Sequence, residues 1–327
     1  MSSLRSGLVG LLVALGAASG HAEELVVSNY AVSANGMPFG VALAKGYFKE
    51  EGLDISGLIS SAGGGTTLRN MLAGGGVPYG EVNPVVVVSA VLAGADLKIV
   101  SDNVLTVAEF VWAVRPDSPI RTIKDLKGRK LGYTNPRSTS QALANLISEI
   151  GGYKPGEIDL VKTGGFGEGV AALDAGQVDM APITEPLWSK YKGKFRAVIA
   201  ASEALPPLDN VVGVVTAETA EKRGDFIRAV IRARRKAVVF MREHIDEAAD
   251  IVARQYNIDR EVALSALRNL TTSRTRGVPY WGEGEIHLEG LKRTIEAQRA
   301  VGAITGEVDY GKLVDPRFLP DDLKAVK

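Results

Sequence analysis

The chain has 327 residues, 46% of them hydrophobic, with 38 basic side chains balanced by 38 acidic ones and no cysteine. Even charge points to neither nucleic acid nor an anionic membrane surface as a partner. The missing thiols exclude disulfides, thiol catalysis, cysteine-held zinc and iron–sulfur clusters, so stability must come from a packed core.

Residues 1–22 read as a secretory signal peptide. Arg5 precedes an apolar run from Gly7 to Ala18, and Gly20 and Ala22 put small residues before a cut ahead of Glu23. That run falls short of the ~20 apolar residues a comfortable span needs. Val85 to Ala93 is the nearest later stretch, and its length suits a buried element. No cysteine precedes the cut to carry a lipid. The mature chain is therefore expected to be periplasmic, without membrane insertion and monomeric, and long enough for two domains.

From Leu25 the sequence alternates strands and helices. Strands are expected at Leu25–Ser28, Leu53–Ile59, Val77–Val82, Leu97–Val100 and Phe110–Val114. Helices are expected at Pro38–Glu50 and Thr66–Leu72, and another starts at Pro84, where proline suits the first turn. After the turn-rich Arg115–Pro119 the rhythm restarts: strand Lys130–Tyr133, helix Ser138–Ile150 stopped by Gly151-Gly152, strand Ile158–Val161, helix Val170–Ala175, strands Val178–Ile183 and Phe195–Ala201. Leu205–Asp209 is a second break. Beyond Thr216 the pattern is helical: Phe226–Glu243, Asp246–Gln255, Arg260–Arg268 and Glu285–Ala300. Such βα alternation implies an α/β chain with mostly parallel sheets flanked by helices. The two breaks imply a chain that leaves one lobe, builds a second and returns: 23–114 plus 211–327, and 115–210.

Three stretches carry a resemblance. Ala44-Lys-Gly-Tyr-Phe-Lys-Glu-Glu-Gly-Leu-Asp54, Ile123-Lys-Asp-Leu-Lys-Gly-Arg-Lys-Leu-Gly132 and Leu173-Asp-Ala-Gly-Gln-Val-Asp-Met-Ala181 resemble, in order and spacing, the nitrate/sulfonate/thiamine-precursor family of periplasmic binding proteins. The resemblance runs from Leu25 to about Asn210; the C-terminal helices match only in pattern. It implies a two-lobe periplasmic-binding-protein fold of type II with a helical C-terminal segment. It also implies delivery of a small-molecule ligand to the permease and ATPase subunits of an ABC importer. These motifs build the scaffold. Where a ligand sits has to be argued from the cleft.

Ligands in such sheets lie beyond the carboxyl ends of the strands. That rule selects Asn35 and Met37 after the first strand, Gly64, Gly65 and Thr66 after the second, Asn83 after the third and Asn103 after the fourth. In the second lobe it selects Asn135, Arg137, Ser138 and Thr139, and then Glu185. The 134–140 segment is the leading candidate: its hydroxyls cap a helix whose first-turn amides and dipole attract an anion, and Arg137 adds a planar fork suited to carboxylate or sulfonate. The same residues also describe an ordinary cap beside a solvated arginine. Gly164-Gly-Phe-Gly-Glu-Gly169 fails the dinucleotide spacing and reads as a tight turn whose Phe166 faces the cleft. The Tyr280-Trp281 pair, flanked by Pro279 and Gly282, is the leading aromatic wall, with Trp112 and Trp188 behind it; Arg274 and Arg276 are candidates for a second cation. Glu81, Glu109 and Glu185 would oppose an anion unless each is paired or receives a ligand donor.

The expected function is binding of a sulfonate or carboxylate between two lobes. Closure would turn on segments near 112–119 and 205–214. A neutral heterocycle such as an aminopyrimidine, or service to a signalling receptor, are the rival readings. No catalytic residue, metal site or cofactor is expected: of three histidines His21 leaves with the signal, and His244 and His287 lack a zinc spacing.

Overall fold

A computed structural model of the chain describes residues 22–61, 64–73 and 77–324. The expected signal peptide lies outside the described residues except for Ala22. In chain order the strands are β1 (Glu23–Ser28), β2 (Ile55–Ser61), β3 (Gly80–Val82), β4 (Leu97–Val104), β5 (Phe110–Val114), β6 (Lys130–Tyr133), β7 (Asp159–Lys162), β8 (Ala181–Thr184), β9 (Arg196–Ala200), β10 (Val211–Thr216), the short pair β11 (Arg274–Thr275) and β12 (Val278–Pro279), and β13 (Trp281–Gly284). The helices are α1 (Met37–Lys45), α2 (Tyr47–Glu50), α3 (Gly64–Leu72), α4 (Pro84–Leu92), α5 (Thr139–Gly151), α6 (Phe166–Asp174), α7 (Leu187–Tyr191), α8 (Ala201–Ala204), α9 (Ala217–Lys222), α10 (Gly224–Glu243), α11 (Ile245–Tyr256), α12 (Arg260–Thr272), α13 (Leu288–Ala300) and α14 (Tyr310–Leu313).

Two sheet systems form the two lobes. The first has the order β13-β4-β10-β3-β1-β2. In the second, β8-β5-β9 is joined to the β6-β7 pair through a parallel bridge between Leu131 and Met180. Within the first, β1 is parallel to β2 and β3, whereas β10 runs antiparallel to β3 and β4. Within the second, β5 runs antiparallel to β8 and β9 while β6 and β7 are parallel. The reversed strands have one cause. β5 and β10 are the strands on which the chain enters each sheet from the other. They start where the neighbouring strands end, and so run backwards. β13, antiparallel to β4, is a further reversed strand at the edge of the first sheet.

The pairing of β5 corrects one expectation. Residues 110–114 belong with 181–200, so the first crossing occupies 105–109 and precedes β5. The turn-rich 115–119 stretch follows it inside the second system, where Arg196 Nη2 donates to the carbonyls of Ser118 and Ile120 at 2.9 and 3.0 Å. Every residue of β5 is buried. A uniformly apolar strand fits the interior of either sheet, and its pattern alone does not choose between them.

Other boundaries move for local reasons. The helix expected over Pro38–Glu50 is broken by Gly46, which takes φ 74°, a conformation glycine adopts without strain. Strand β4 runs on through Ser101-Asp-Asn103, which is buried and hydrogen-bonded instead of leaving the sheet. Only Gly80–Val82 of the expected Val77–Val82 strand pairs. The first lobe's core gathers the apolar faces of α1, α4 and α10–α13 onto its sheet. The second has two smaller clusters, one around Trp112, Leu131 and Ile147, the other around Leu173 and Ile183. None of the helices in the described residues is long and apolar enough to cross a membrane.

Candidate ligand-binding site

A cavity of about 340 Å³ lies where the strand ends of both sheets meet. Ser28 and Asn29 reach it from the end of β1, Asn35 from the 3-10 turn before α1, and Thr184 from the end of β8. The reversed strands contribute their beginnings: Glu109 and Phe110 ahead of and on β5, Asn210 and Val211 ahead of and on β10. Three helices start here. Asn83, Val85 and Val86 stand at the head of α4, Ser138, Thr139 and Ser140 at the head of α5, and Phe166 opens α6. First-turn amides have no intrahelical acceptor, and each helix adds partial positive charge at this end. Gln298 of α13 completes the wall.

The caps of α4 and α5 are built by side chains, while α6 starts from Gly165 without one. Asn83 Oδ1 accepts from the Val85 amide at 2.9 Å, with Pro84 filling the first turn. Ser138 Oγ accepts from the Gln141 amide at 3.2 Å. Thr134, Ser138 and Ser140 exchange hydroxyl hydrogen bonds of 2.8–3.2 Å beneath that cap. Arg137 sits at φ 63° with its amide donating to Gln141 Oε1 at 2.6 Å. Its guanidinium is exposed and has no ion pair among the described residues.

The two lobes touch across the cavity. Asn83 Nδ2 donates to Thr139 Oγ1 at 3.0 Å, and also to the Asn210 carbonyl at 3.1 Å and Asn210 Oδ1 at 3.3 Å. Asn210 Nδ2 in turn donates to Glu109 Oε1. A continuous chain of hydrogen bonds therefore runs from the head of α5, through the head of α4, to both crossing segments. Outside the cavity, Ser189 Oγ and Lys192 Nζ donate to Ser265 Oγ of α12 at 3.1 and 2.8 Å.

One buried carboxyl, Glu109, lies in the cavity wall, and a second, Glu81, stands behind Asn35. Burial pushes Glu109 up to about 8, against hydrogen bonds from its own backbone amide and from Asn210 that lower it. Burial likewise raises Glu81 to about 7, opposed by Arg234 and by hydrogen bonds from Asn35 and Asn103. Arg234 is buried on α10, 3.7 Å from Glu81, and donates to the carbonyls of Gly282 and Asn103 at 2.7 and 2.6 Å. Asn35 Nδ2 donates to Glu81 Oε1 at 3.0 Å and to the Ser28 carbonyl at 3.1 Å. The polar residue on the cavity wall is thus anchored by a buried ion pair behind it.

Of the residues selected from sequence, Asn35, Asn83, Asn135, Arg137, Ser138 and Thr139 come together around this cavity. The others stand elsewhere. Met37 is fully buried at the start of α1. Gly65 and Thr66 form the first turn of α3, where Thr66 Oγ1 accepts from Arg69, and Gly64 opens the same helix, two residues ahead of its expected start at Thr66. Asn103 is inside β4, donating to Glu81 and Tyr79 at 2.8 and 3.2 Å. Glu185 accepts from the Ser189 amide at 3.1 Å and from Asn269 at 2.6 Å, facing α7 and α12 instead of the cavity. Trp281 lies on β13, 3% exposed and stacked edge-on with Tyr280 at 5.0 Å. Phe166 does reach the cavity, edge-to-face with Phe110 at 5.8 Å. Glu109, Asn210 and Gln298 are cavity residues the strand-end rule misses, because they precede reversed strands or come from a distant helix. Glu109 stood out in the sequence only as an acid needing a partner, and the Pro-Pro break was the one signal ahead of Asn210.

The family model described as NMT1/THI5 like matches residues 33–248. A Bacillus subtilis (strain 168) protein named for binding aliphatic sulfonates is 24% identical over 324 residues, 97% of this chain and 95% of its own. Among solved structures, the periplasmic aliphatic sulphonate binding protein SsuA from Escherichia coli aligns with TM-score 0.76 and 20% identity, covering 90% of this chain and 92% of its own. The periplasmic nitrate-binding protein NrtA from Synechocystis PCC 6803 aligns with TM-score 0.69 and 14% identity, covering 91% and 86%. The shared fold is that of periplasmic binding proteins.

Proposed function

The chain belongs to the NMT1/THI5-like family, and from that premise we propose that it is the extracytoplasmic solute-binding component of an ABC importer. It holds a small organic anion, a sulfonate or carboxylate, in the interlobe cavity and delivers it to a permease. It acts as a binder and not as an enzyme.

One observation carries the anion reading: the heads of α4, α5 and α6 converge on one cavity with the guanidinium of Arg137, without an ion pair among the described residues, at its edge. Backbone amides, helix dipoles and a planar cation form an anion site without further help. The names of the sulfonate- and nitrate-binding relatives agree with it. Capture works by closure. A ligand touching both sheets shifts an open–closed equilibrium only by its extra affinity for the closed form. The Asn83–Thr139 contact is the protein's own part of that closed interface.

A thermal-shift screen of the chain from Glu23 onward tests this reading against sulfonates, carboxylates, nitrate and pyrimidines. A true ligand at ~100 times its Kd adds about 2.7 kcal/mol of stability. Melting shifts confined to anions support the proposal. Shifts confined to pyrimidines favour a heterocycle binder instead, a reading to which the Phe110–Phe166 pair in the wall lends weight.

A further inference from the structure

Behind the cavity wall, two buried acids meet. Asp209 stands in the second crossing segment, beside Asn210 of the wall. Asp102 lies on β4, and His287 precedes the first turn of α13. Both carboxyls are 0% exposed. Asp102 Oδ2 accepts from the His287 amide at 2.6 Å, and Asp209 Oδ1 contacts His287 Nδ1 at 3.1 Å. Each acid thus spends one oxygen on His287. The remaining two, Asp102 Oδ1 and Asp209 Oδ2, are buried and receive no N–H or hydroxyl among the described residues. A side-chain hydrogen bond joins the two carboxyls instead. Two ionised carboxylates have no proton to make such a bond. The packing admits this cluster only because Gly290 lacks a side chain: a Cβ there would stand 2.4 Å from Asp209 Oδ1 and 2.3 Å from His287 Nδ1. We propose that Asp102 and Asp209 share one proton, and that this proton clamps the second crossing segment to the first lobe, so that the pair positions Asn210 in the cavity wall.

The electrostatics agree with the geometry. The other charged and titratable groups facing the pair and its histidine are Glu285, Glu289 and Arg293. Glu289 is tied to Lys292 at 3.0 Å. Burial, and after it the neighbouring Asp209, pushes Asp102 well above the usual carboxylate range. Burial raises Asp209 as well, against the hydrogen bond from Asp102. Burial lowers His287, so its ring is neutral at neutral pH and Nδ1–H donates to Asp209. Like charges in contact and out of water do not both ionise, which leaves one negative charge and one proton on the pair. The clamp acts on backbone held from both sides. Thr294 Oγ1 donates to the Asp209 carbonyl at 2.8 Å, and the Asp209 and Asn210 amides donate to the carbonyls of Gly290 and Val104 at 3.4 and 2.9 Å. So fixed, Asn210 presents its side chain to Asn83 and Glu109. Removing the proton sets two buried charges against each other beneath the crossing and works to release it.

Native electrophoresis at pH 7 counts the proton. Asparagine at either position supplies an N–H where the proton was. Asp102→Asn and Asp209→Asn should each migrate with the parent protein, while the double variant differs from it by one charge, as the exposed Asp117→Asn does. A one-charge shift in either single variant overturns the shared proton. Should neither variant fold, carboxyl NMR of the aspartate-labelled parent decides, by whether one aspartate is still protonated at pH 7. Amide exchange reads the clamp. Asp102→Ala removes the donor to Asp209 Oδ2 and should lower the protection of the Asn210 amide about 10-fold, the scale of one charge-assisted hydrogen bond. The β6 amides should be unchanged, and Asp102→Asn should keep the parent's protection. Equal loss in both lobes makes the pair a general stabiliser and overturns the positioning role. The effect on ligand rests on the reading of the cavity as the binding site. Propane-1-sulfonate should bind Asp102→Asn as it binds the parent, and Asp102→Ala about 10-fold more weakly. Equal binding by all three overturns that effect. No binding by the parent overturns the anion reading, and the proton and the clamp then stand or fall by electrophoresis and exchange.

Discussion

Glu109 and Glu81 put opposite ends of the same physics side by side. Each is buried, but Glu81 faces Arg234 at 3.7 Å and two asparagine amides, while Glu109 has one asparagine and its own backbone amide and no cation among the described residues. That asymmetry makes Glu109 a measurable drag on stability. Its titration is raised from 4.5 to about 8, so between those values the folded protein holds a proton that the unfolded chain has lost. Stability therefore falls as pH rises through that window, by up to ~1.4 kcal/mol per pH unit from this group. Replacing it with glutamine keeps an acceptor for Asn210 and removes the slope. Glu109→Gln should melt close to the parent at pH 5 and several degrees above it at pH 8; parallel melting curves at both pH values would contradict the burial argument. Arg137 was legible in the sequence because a cation beside Ser-Thr-Ser at a strand-to-helix joint has few uses. Glu109 was legible only as an acid needing a partner, since the partner, Asn210, is a hundred residues away in sequence.

The helix heads set the site at the next scale. Asn83 has two tasks, capping α4 and reaching Thr139 across the cavity, whereas Thr139 has only the second because Ser138 caps α5. The two substitutions should therefore separate. Asn83→Ala should cost ~1 kcal/mol of stability, the usual loss for a helix cap, and also weaken ligand binding. Thr139→Ala should weaken binding with little change in melting, read by denaturant unfolding and titration together. Equal destabilisation by both would mean that the cross-cavity bond is not a separate closure contact. Caps of this kind are local signals, which is why the starts of α4 and α5 were expected within a residue. The bounds of β4 were not, because Ser101, Asp102 and Asn103 look like a strand end. They stay in the sheet only because Glu81, Tyr79 and His287 come from other elements to satisfy them. Gly64 and Gly65 differ for a related reason: glycines ahead of the helix expected from Thr66 suggest a loop, and here they begin that helix.

For the molecule as a whole, both sheets direct their parallel strands and their helix heads at one cavity, and only two segments, 105–109 and 205–210, carry the chain between them. Two such connections allow rigid-body closure with the φ/ψ change confined to a few residues. The alternation of strands and helices made the two-lobe architecture readable in advance. Which lobe owns β5 was not, because sheet membership depends on pairing across 68 or more residues. Solution scattering should show a smaller radius of gyration when a confirmed ligand is added, and an unchanged one would rule out closure as the capture step. The cavity's claim to be an anion site rests most directly on Arg137. Calorimetric titration of the best anion from the screen into the parent protein and into Arg137→Ala isolates it. The expected result is single-site binding that weakens at least ~10-fold in the variant, the loss of one charge-assisted hydrogen-bonding group. Undiminished affinity in a folded Arg137→Ala protein would contradict it and move the anion, if there is one, away from the head of α5.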